Sequence, residues 1–328
     1  MNLRATARQF GLGRAAYALW HAPIGAVKRS LAAGGPLEQW RNQRGAAAME
    51  SAAVALPTAR GAAAPDLPEL HFLTGRKFWY QTAFCLHTLQ VQSGCVFRAV
   101  FHDDGSCDDA TRGRLATLFP AASIRLRLEN DAHIAGLLPP AHFPTLHRER
   151  QRSYPNFLKL TDVHAGHTGW RLVLDSDMLF FRRPERLLDW LTAPTRPIAM
   201  LDVGDAYGYP LEAMSELAGA SVPPRINVGF CGLESGHIDW SRVEFWARTL
   251  TERYGLSYYL EQALSAMLFA GHQALVLPPD DYRLMPDVHE SQAPSAVMHH
   301  YVGPSKRGYF RHGWRAALEL SGPGVPAS

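Results

Sequence analysis

Residues 171–181 read RLVLDSDMLFF, an apolar strand that delivers two carboxylates, one residue apart, into a loop. Asp175 and Asp177 follow the strand directly. Two carboxylates come together at a sheet end at low cost only when a cation or hydrogen bonds compensate their charge. Hard oxygen ligands of this kind suit Mg²⁺ or Mn²⁺, with diphosphate oxygens completing the shell. The stretch therefore predicts a metal site, and an exposed turn after a strand is the alternative.

Strand and helix signals alternate on both sides of this stretch, from residue 66 onwards. The candidate strands lie at residues 70–73, 98–102, 123–128, 171–174, 197–201, 227–233, 273–277 and 296–301. The candidate helices lie at about residues 78–92, 108–118, 157–167, 184–192, 210–219, 241–254 and 260–270. This alternation is typical of an α/β domain with a mostly parallel sheet flanked by helices. Ligands of such sheets bind outside the carboxyl ends of the strands, so the chemistry is expected there.

A second strand end lies near the C-terminus, where residues 296–306 read AVMHHYVGPSK. The strand ends in two histidines, which a glycine turn and Lys306 follow. Imidazole is a good third ligand for Mn²⁺, and a lysine ammonium neutralises phosphate as a point charge. This segment therefore predicts a third metal ligand beside a phosphate contact, with a structural histidine as the alternative.

Composition narrows the class of protein. The 328 residues are 47% hydrophobic and 19% charged, which is enough to bury a large core and excludes a mainly disordered or fibrous chain. No stretch approaches the ~20 apolar residues that a membrane helix needs. The four cysteines form no Cys-x-x-Cys pair, so we expect a reduced protein without a cysteine-based metal site. The first residues lack the uninterrupted apolar run of a secretory signal, and the expected compartment is the cytoplasm.

A region rich in Ala, Gly and Arg, residues 1–65, precedes the alternating pattern. We predict two short helices and a linker that ends at residues 62–65, followed by the main domain over residues 66–328. Residues 1–44 carry a net charge of +6 and the remainder −3, which argues against a uniform nucleic-acid-binding surface. This short basic helical arm either touches an anionic membrane surface, peripheral to the cytoplasmic face, or packs on the main domain as an accessory layer.

Four elements of the sequence carry a resemblance to a known family. They are LDSD at 174–177, NVG at 227–229, EQ at 261–262 and HYVGPSK at 300–306. In this order they resemble the Asp-x-Asp, Asn-x-Gly, Asp-Gln and His-Phe-x-Gly-x-x-Lys elements of GT-A fold glycosyltransferases, closest to the glycogenin and lipopolysaccharide galactosyltransferase type. The resemblance spans about residues 66–310 and implies a Rossmann-like GT-A fold. It also implies Mn²⁺- or Mg²⁺-dependent transfer of a hexose from a nucleoside diphosphate, commonly UDP, to a glycan, lipid or protein acceptor.

The resemblance implies roles for the residues at the two strand ends. Asp175, Asp177 and His300 would be the metal ligands, with Asp175 shared between the metal and the donor ribose. His300 is chosen over its neighbour by its spacing to Gly303. Lys306 would hold the diphosphate and stabilise the leaving group as charge develops on it.

Residues on other elements would complete the site. Three of them would face the donor sugar or the reacting face: Asn227, Glu261 and Gln262. Glu261 stands where the family usually has Asp. Lys159, on the helix before the Asp-x-Asp strand, would reach the diphosphate, and a solvated lysine is the alternative.

The donor base is expected over the ends of the first two strands. Thr74 follows the first strand, and residues 101–106, FHDDGS, end the second. The latter resembles the Asp-Asp-Gly-Ser strand end of other GT-A enzymes, where an Asp contacts the base. We therefore expect donor contacts from Thr74 and from one of Asp103 or Asp104, without choosing between the two. Asp-Asp-Gly-Ser is also good turn chemistry in any protein, which is the alternative.

Two other functions fit parts of the pattern. Haloacid-dehalogenase type phosphatases also place Asp-x-Asp after an apolar strand, but their pattern continues with Thr or Val where Leu179 stands here. A non-catalytic sugar-nucleotide-binding protein of the same fold is the other alternative. The intact set of Asp175, Asp177, His300 and Lys306 argues against such a decayed site.

Two further pairs are weaker candidates. His164 and His167 lie one helical turn apart, and we predict a surface face for them because no carboxylate completes a metal set. Asp202 and Asp205 follow another strand and precede YGYP at 207–210, a segment that would line an acceptor groove.

Overall fold

The computed structural model describes residues 35–58, 61, 66–152 and 155–320. The helices are α1 Gly35–Ala53, α2 Trp79–Ser93, α3 Asp109–Leu118, α4 Arg127–Leu137, α5 Pro144–Arg150, α6 Phe157–His164, α7 Glu185–Thr192, α8 Leu211–Ala218, α9 Trp240–Tyr254, α10 Leu260–Met267, α11 Val288–Gln292, α12 Lys306–Gly308 and α13 Trp314–Glu319. A π-helical turn, Tyr309–Gly313, joins the last two. The strands are β1 Glu69–Thr74, β2 Ala99–Asp103, β3 Ser123–Arg125, β4 Trp170–Leu174, β5 Met178–Phe180, β6 Ile198–Leu201, β7 Ile226–Glu234, β8 Leu275–Val276, β9 Tyr282–Leu284 and β10 Met298–His300.

Seven strands form the main sheet in the order β3-β2-β1-β4-β7-β6-β8. Among them β7 runs antiparallel to its neighbours β4 and β6, and the other pairs are parallel. Parallel strands place their carboxyl ends at one edge of the sheet. Because β7 runs the other way, its beginning lies at that edge, so Asn227 approaches the end of β4. The predicted α/β class with a mostly parallel sheet is confirmed.

A second sheet consists of three short strands in the order β5-β10-β9. It places the end of β10 beside the Asp-x-Asp loop. In the antiparallel pair of β5 and β10, His300 lies opposite Met178. The backbone N–H of Tyr301 donates to the carbonyl oxygen of Asp177 at 2.9 Å. Since β5 begins directly after Asp177, this register fixes His300 beside the Asp-x-Asp loop.

Two apolar clusters form the core, and the strands of the main sheet contribute to both. In β6, Ile198 and Met200 belong to one cluster and Ala199 to the other, because successive side chains of a strand point to opposite faces. The first cluster also takes in α1, α2 and α13, and the second takes in α8, α9 and α10. The strand ends are thus held between two packed helical layers.

The N-terminal helix α1 packs on the domain as an accessory layer. Its Met49 and Ala53 belong to the first apolar cluster, and Trp79 Nε1 donates to Glu50 Oε1 at 3.0 Å. Residues 1–34 and the predicted linker at 62–65 lie outside the described residues. Within the described ranges, no helix is both long and apolar enough to span a membrane.

Some predicted elements differ from the structure. The strand expected over residues 123–128 is too long, since β3 ends at Arg125 and α4 begins at Arg127. The chain turns there because Asp103 Oδ2, on the neighbouring strand, accepts the backbone N–H of Arg127 at 3.2 Å. The pattern also misses β5, β9, α4, α5, α11, α12 and α13. Of these, β5, β9 and α12 have only three residues each, which is too short to show a periodic pattern.

Candidate active site

Two carboxylates and one imidazole meet at the carboxyl edge of the sheet. Asp175, Asp177 and His300 each offer a ligand atom, and these atoms lie within 4.8 Å of one another. His300 Nε2 is 3.1 Å from Asp177 Oδ1 and 3.6 Å from Asp175 Oδ2. The neighbouring His299 turns away, with its Nε2 2.8 Å from Glu290 Oε1. Of the two adjacent histidines, it is therefore His300 that faces the carboxylates.

This donor set fits a divalent cation. Carboxylate oxygens with one imidazole nitrogen suit Mn²⁺ or Mg²⁺. Nδ1 of the buried His300 makes no hydrogen bond to the residues that the structure describes, so packing and the two carboxylates hold the ring. A cation between Asp175, Asp177 and His300 would attract both carboxylates and so offset their mutual repulsion.

Gly229 gives the three ligands the space that they occupy. A Cβ at this position would lie 2.5 Å from Asp175 Oδ2, 2.5 Å from His300 Cε1 and 3.0 Å from Asn227 Oδ1. The Asp175 backbone N–H also donates to the Gly229 carbonyl at 2.7 Å, which ties the loop to β7. The glycine of the Asn-x-Gly element is thus required by close approach of the ligand side chains rather than by an unusual φ.

Lys306 lies against the Asp-x-Asp loop from the C-terminal side. Its Nζ is 2.6 Å from Asp177 Oδ2 and donates to Gln81 Oε1 at 3.2 Å. Burial raises the pKa of Asp177, but Lys306 and His300 outweigh it and hold the pKa well below the usual range. Asp177 is therefore ionised at neutral pH and available as a ligand.

Lys159 is buried and approaches the other carboxylate of the loop. It is 5% exposed, and its Nζ lies 3.0 Å from Asp175 Oδ1 and 3.7 Å from Glu261 Oε2. This placement contradicts the alternative of a solvated lysine. Burial raises the pKa of Glu261 to about 7, against the lowering effect of Lys159. Glu261 thus shares one cation, the Lys159 ammonium, with Asp175.

Asp202 joins two of the predicted sugar-facing residues. Its Oδ2 accepts from Asn227 Nδ2 at 2.9 Å and from Gln262 Nε2 at 3.4 Å. Gln262 Nε2 also lies 3.4 Å from the carbonyl oxygen of Ile226. Both partners of this nitrogen are acceptors, so the amide nitrogen must be on that side and Oε1 on the other. Asn227, Glu261 and Gln262 line one cavity with Asp175 and His300, so the structure brings them to the same region as the candidate metal ligands.

Two cavities meet at Asp175. One, of about 170 Å³, lies towards the ends of β1 and β2, and its lining includes Phe78, Asp104 and Lys306. The other, of about 480 Å³, lies towards β6 and α10, and its lining includes Asp202, Asn227, Glu261, Gln262 and Gly303. Asp175 and Lys159 line both. A molecule that filled both cavities would pass over the Asp-x-Asp loop.

The two aspartates at the end of β2 differ in environment. Asp103 is buried, and its Oδ1 accepts the backbone N–H groups of Gly105 and Cys107 at 2.8 and 2.9 Å. Asp104 lines the smaller cavity. Thr74 is buried, and its hydroxyl bonds Thr82 Oγ1 at 2.8 Å. Asp103 therefore shapes the turn, and of the pair it is Asp104 that faces the cavity.

One sequence-based expectation about the histidines is wrong. His164 lies on a buried face of α6, with Nδ1 2.8 Å from Ser235 Oγ, rather than on a surface face. His167 lies beyond the helix, and its Nε2 is 2.9 Å from an Arg125 guanidinium nitrogen. Burial lowers the pKa of His164 to about 3, so it is neutral in the core.

Sequence reasoning missed two residues that the structure places at the site. Gln81, in the first turn of α2, accepts from Lys306 and lines the smaller cavity. Ser176, between the two aspartates, donates to the carbonyl oxygen of Leu73 at 3.2 Å and so ties the loop to β1. The position of Gln81 in the first turn of a helix that follows a strand end was the signal available for it.

Comparison with solved structures gives the fold a precedent. The galactosyltransferase LgtC, solved in complex with donor and acceptor sugar analogues, matches with a TM-score of 0.50 at 19% identity, over 79% of this chain and 97% of that one. Mouse xyloside xylosyltransferase 1 matches with a TM-score of 0.47 at 12% identity, over 71% of this chain and 97% of that one. No protein-family model matches the sequence, and no curated protein does. The chain therefore has the GT-A fold that LgtC shows, in agreement with the fold that the sequence predicts.

Proposed function

We propose that the chain is a metal-dependent glycosyltransferase that moves a sugar from a nucleoside diphosphate, with UDP expected, to a glycan, lipid or protein acceptor. The observation that carries the proposal is the convergence of Asp175, Asp177 and His300 at the sheet edge, with Lys306 against them. Such a site matches what departure of an anionic nucleoside diphosphate requires, because positive charge must face the developing negative charge.

The metal and Lys306 would each contact the diphosphate and neutralise part of its charge. Bound by Asp175, Asp177 and His300, Mn²⁺ or Mg²⁺ would supply positive charge to the diphosphate oxygens. Lys306 would give up its contact with Asp177 to the diphosphate, and Gln81 would keep its ammonium in place. As the bond to the sugar breaks, the charge on the leaving group grows, and Lys306 stabilises it more strongly than in the ground state.

The smaller cavity would take the nucleotide. Phe78 and Asp104 both line this cavity, so it offers an aromatic ring and a carboxylate to a base and its polar edge. We assign Asp104 as the base contact, with Asp103 and Thr74 shaping the strand ends. Lys159, which lines both cavities, would approach the diphosphate from the side opposite to Lys306.

The larger cavity would take the donor sugar and the acceptor. Asp202 accepts from Nε2 of Gln262, which lines this cavity, and Oε1 of the same amide would accept hydrogen bonds from sugar hydroxyls. Asn227 is fixed in the same way, with Oδ1 accepting from the Gly229 N–H at 3.0 Å. Glu261 would add a further acceptor next to Lys159.

The first experiment measures the melting temperature of the purified protein with UDP, with and without Mn²⁺, beside GDP and a control without nucleotide. A ligand that binds only the native state at 100 times its dissociation constant stabilises the fold by about 2.7 kcal/mol. We expect a rise with UDP that requires Mn²⁺ and is absent in Asp177→Ala. Asp205→Ala, an exposed carboxylate that lines the larger cavity, is the matched control and should respond as the wild type does. An unchanged response in Asp177→Ala would contradict the metal assignment.

Turnover separates the enzyme from a non-catalytic binder of the same fold. Incubation with Mn²⁺ and a panel of UDP-sugars should release UDP, slowly with water and faster with an accepted sugar or lipid. Mn²⁺-dependent UDP binding without any release of UDP from the panel would favour the non-catalytic alternative. Hydrolysis of p-nitrophenyl phosphate without any response to nucleotides would favour the phosphatase alternative.

A further inference from the structure

Helix α1 has one face in the core and one face open to solvent. Gly45 and Met49 are buried towards the domain. On the other side, Leu37 is 57% exposed and Trp40 is 50% exposed. These two residues are three apart, so their side chains lie together on one side of the helix. We call Leu37, Trp40, Arg41 and Arg44 the outer face of α1.

The outer face is cationic as well as apolar. The Arg44 guanidinium lies 4.8 Å from the centroid of the Trp40 ring. Arg41 is exposed and pairs with Glu38 at 2.9 Å. Glu38 in turn pairs with Arg311 of the C-terminal segment at 2.5 Å. Glu38 is therefore shared by two guanidinium groups, which leaves the outer face with an excess of positive charge.

The sequence that leads into α1 has the same character. Residues 1–34 contain five Lys or Arg residues and no Asp or Glu, with Phe10, Tyr17 and Trp20 among them. This sequence reaches α1 at Gly35, two residues before Leu37. The basic and aromatic residues of this part of the sequence therefore directly precede the outer face of α1, whereas residues 45–328 have a net charge of −3.

We propose that the outer face of α1 docks the protein on an anionic lipid bilayer. Trp is favoured at the level of the headgroups, where Leu reaches the acyl boundary and Arg meets anionic lipids. A nucleic acid would use the arginines but would gain little from Leu37, and the net negative remainder of the chain would repel it. The inference does not depend on the proposed transferase activity.

The test is co-sedimentation of the full chain with vesicles of phosphatidylcholine, with and without phosphatidylglycerol. We expect binding to the anionic vesicles, little binding to pure phosphatidylcholine, and release at high salt. The double variant Leu37→Ser, Trp40→Ser should bind roughly tenfold more weakly, and Arg41→Gln, Arg44→Gln should weaken binding as well. Val54→Ser is the matched control, because Val54 is 61% exposed just beyond the other end of α1. It should bind as the wild type does.

Clear outcomes would overturn the proposal. Absence of binding to anionic vesicles would do so, and so would equal binding by the Leu37→Ser, Trp40→Ser variant, since that would leave the outer face without a role. An equal loss in Val54→Ser would mean that the effect is not specific to the outer face. Tighter binding to a single-stranded RNA oligonucleotide that prevents vesicle binding would assign the surface to nucleic acid instead. Melting temperatures of all variants show whether the fold is intact.

Discussion

Replacing Gly229 by alanine would test whether close approach of the three ligands makes the site. The added Cβ would lie 2.5 Å from Asp175 Oδ2 and 2.5 Å from His300 Cε1, whereas ordinary van der Waals contact begins at 3.4 Å. Asp175 and His300 must therefore each move by about 0.9 Å, or β7 must shift. A displacement of about 1 Å costs about 100-fold in turnover, and overpacking costs about 1–3 kcal/mol in stability. We expect a folded variant that has lost most of the Mn²⁺-dependent rise in melting temperature with UDP.

Gly232→Ala is the matched control for this prediction. Gly232 is in the same strand, and a Cβ there would lie 2.5 Å from Ile198 Cγ2 and 2.6 Å from Trp190 Cη2, in the apolar core. This variant should lose as much stability as Gly229→Ala or more, while its response to UDP and Mn²⁺ and its turnover remain. A normal response to Mn²⁺ in Gly229→Ala, or an equal loss of response in Gly232→Ala, would refute the reasoning.

Three other predictions concern the leaving group, the amides and the core. Lys306→Ala should lower kcat by about 100-fold with a smaller loss of UDP-sugar affinity. The control is Arg307→Ala, which removes an exposed neighbouring cation. Equal losses of kcat and affinity would mean that Lys306 stabilises only the bound substrate and not the transition state. Asp202→Asn should lower turnover with little change in UDP binding, because one amide nitrogen then faces another. The control Asp189→Asn, at an exposed carboxylate of α7 outside both cavities, should change neither. Burial lowers the pKa of His102 and His164 to about 3. As the pH falls below about 6.5, these two histidines therefore take up protons in the unfolded chain but not in the folded one. Each of them then lowers the free energy of unfolding by about 1.4 kcal/mol per pH unit. Glu261, whose pKa is raised to about 7, is protonated in the folded state over this range and offsets the effect of one histidine. The urea concentration at the unfolding midpoint should therefore still decrease as the pH is lowered from about 6.5 to 5. A midpoint that stays constant or increases would contradict the burial argument.

Much of the fold follows from local sequence. The apolar runs of β1, β2, β4 and β7 and the helical periods between them predict an α/β sheet, because these segments are long enough to show a period. Asp175 and Asp177 are recognisable because a pair of carboxylates directly after a buried apolar strand is easily seen in the sequence. His300 is chosen by its spacing to Gly303, and the structure turns it towards the carboxylates.

The rest depends on which segments pair in space. The register of β5 with β10 joins residues more than a hundred positions apart, and β5 is too short to predict. Whether Asp103 or Asp104 faces the cavity depends on the backbone N–H groups that Asp103 accepts across the turn. His164 has the same local pattern as a surface residue, but the tertiary structure buries it, with Ser235 as its hydrogen-bond partner, and this burial keeps the imidazole neutral. A period along the chain shows which residues share a face, but burial and contact arise from the partner that covers that face, and the local sequence does not name that partner.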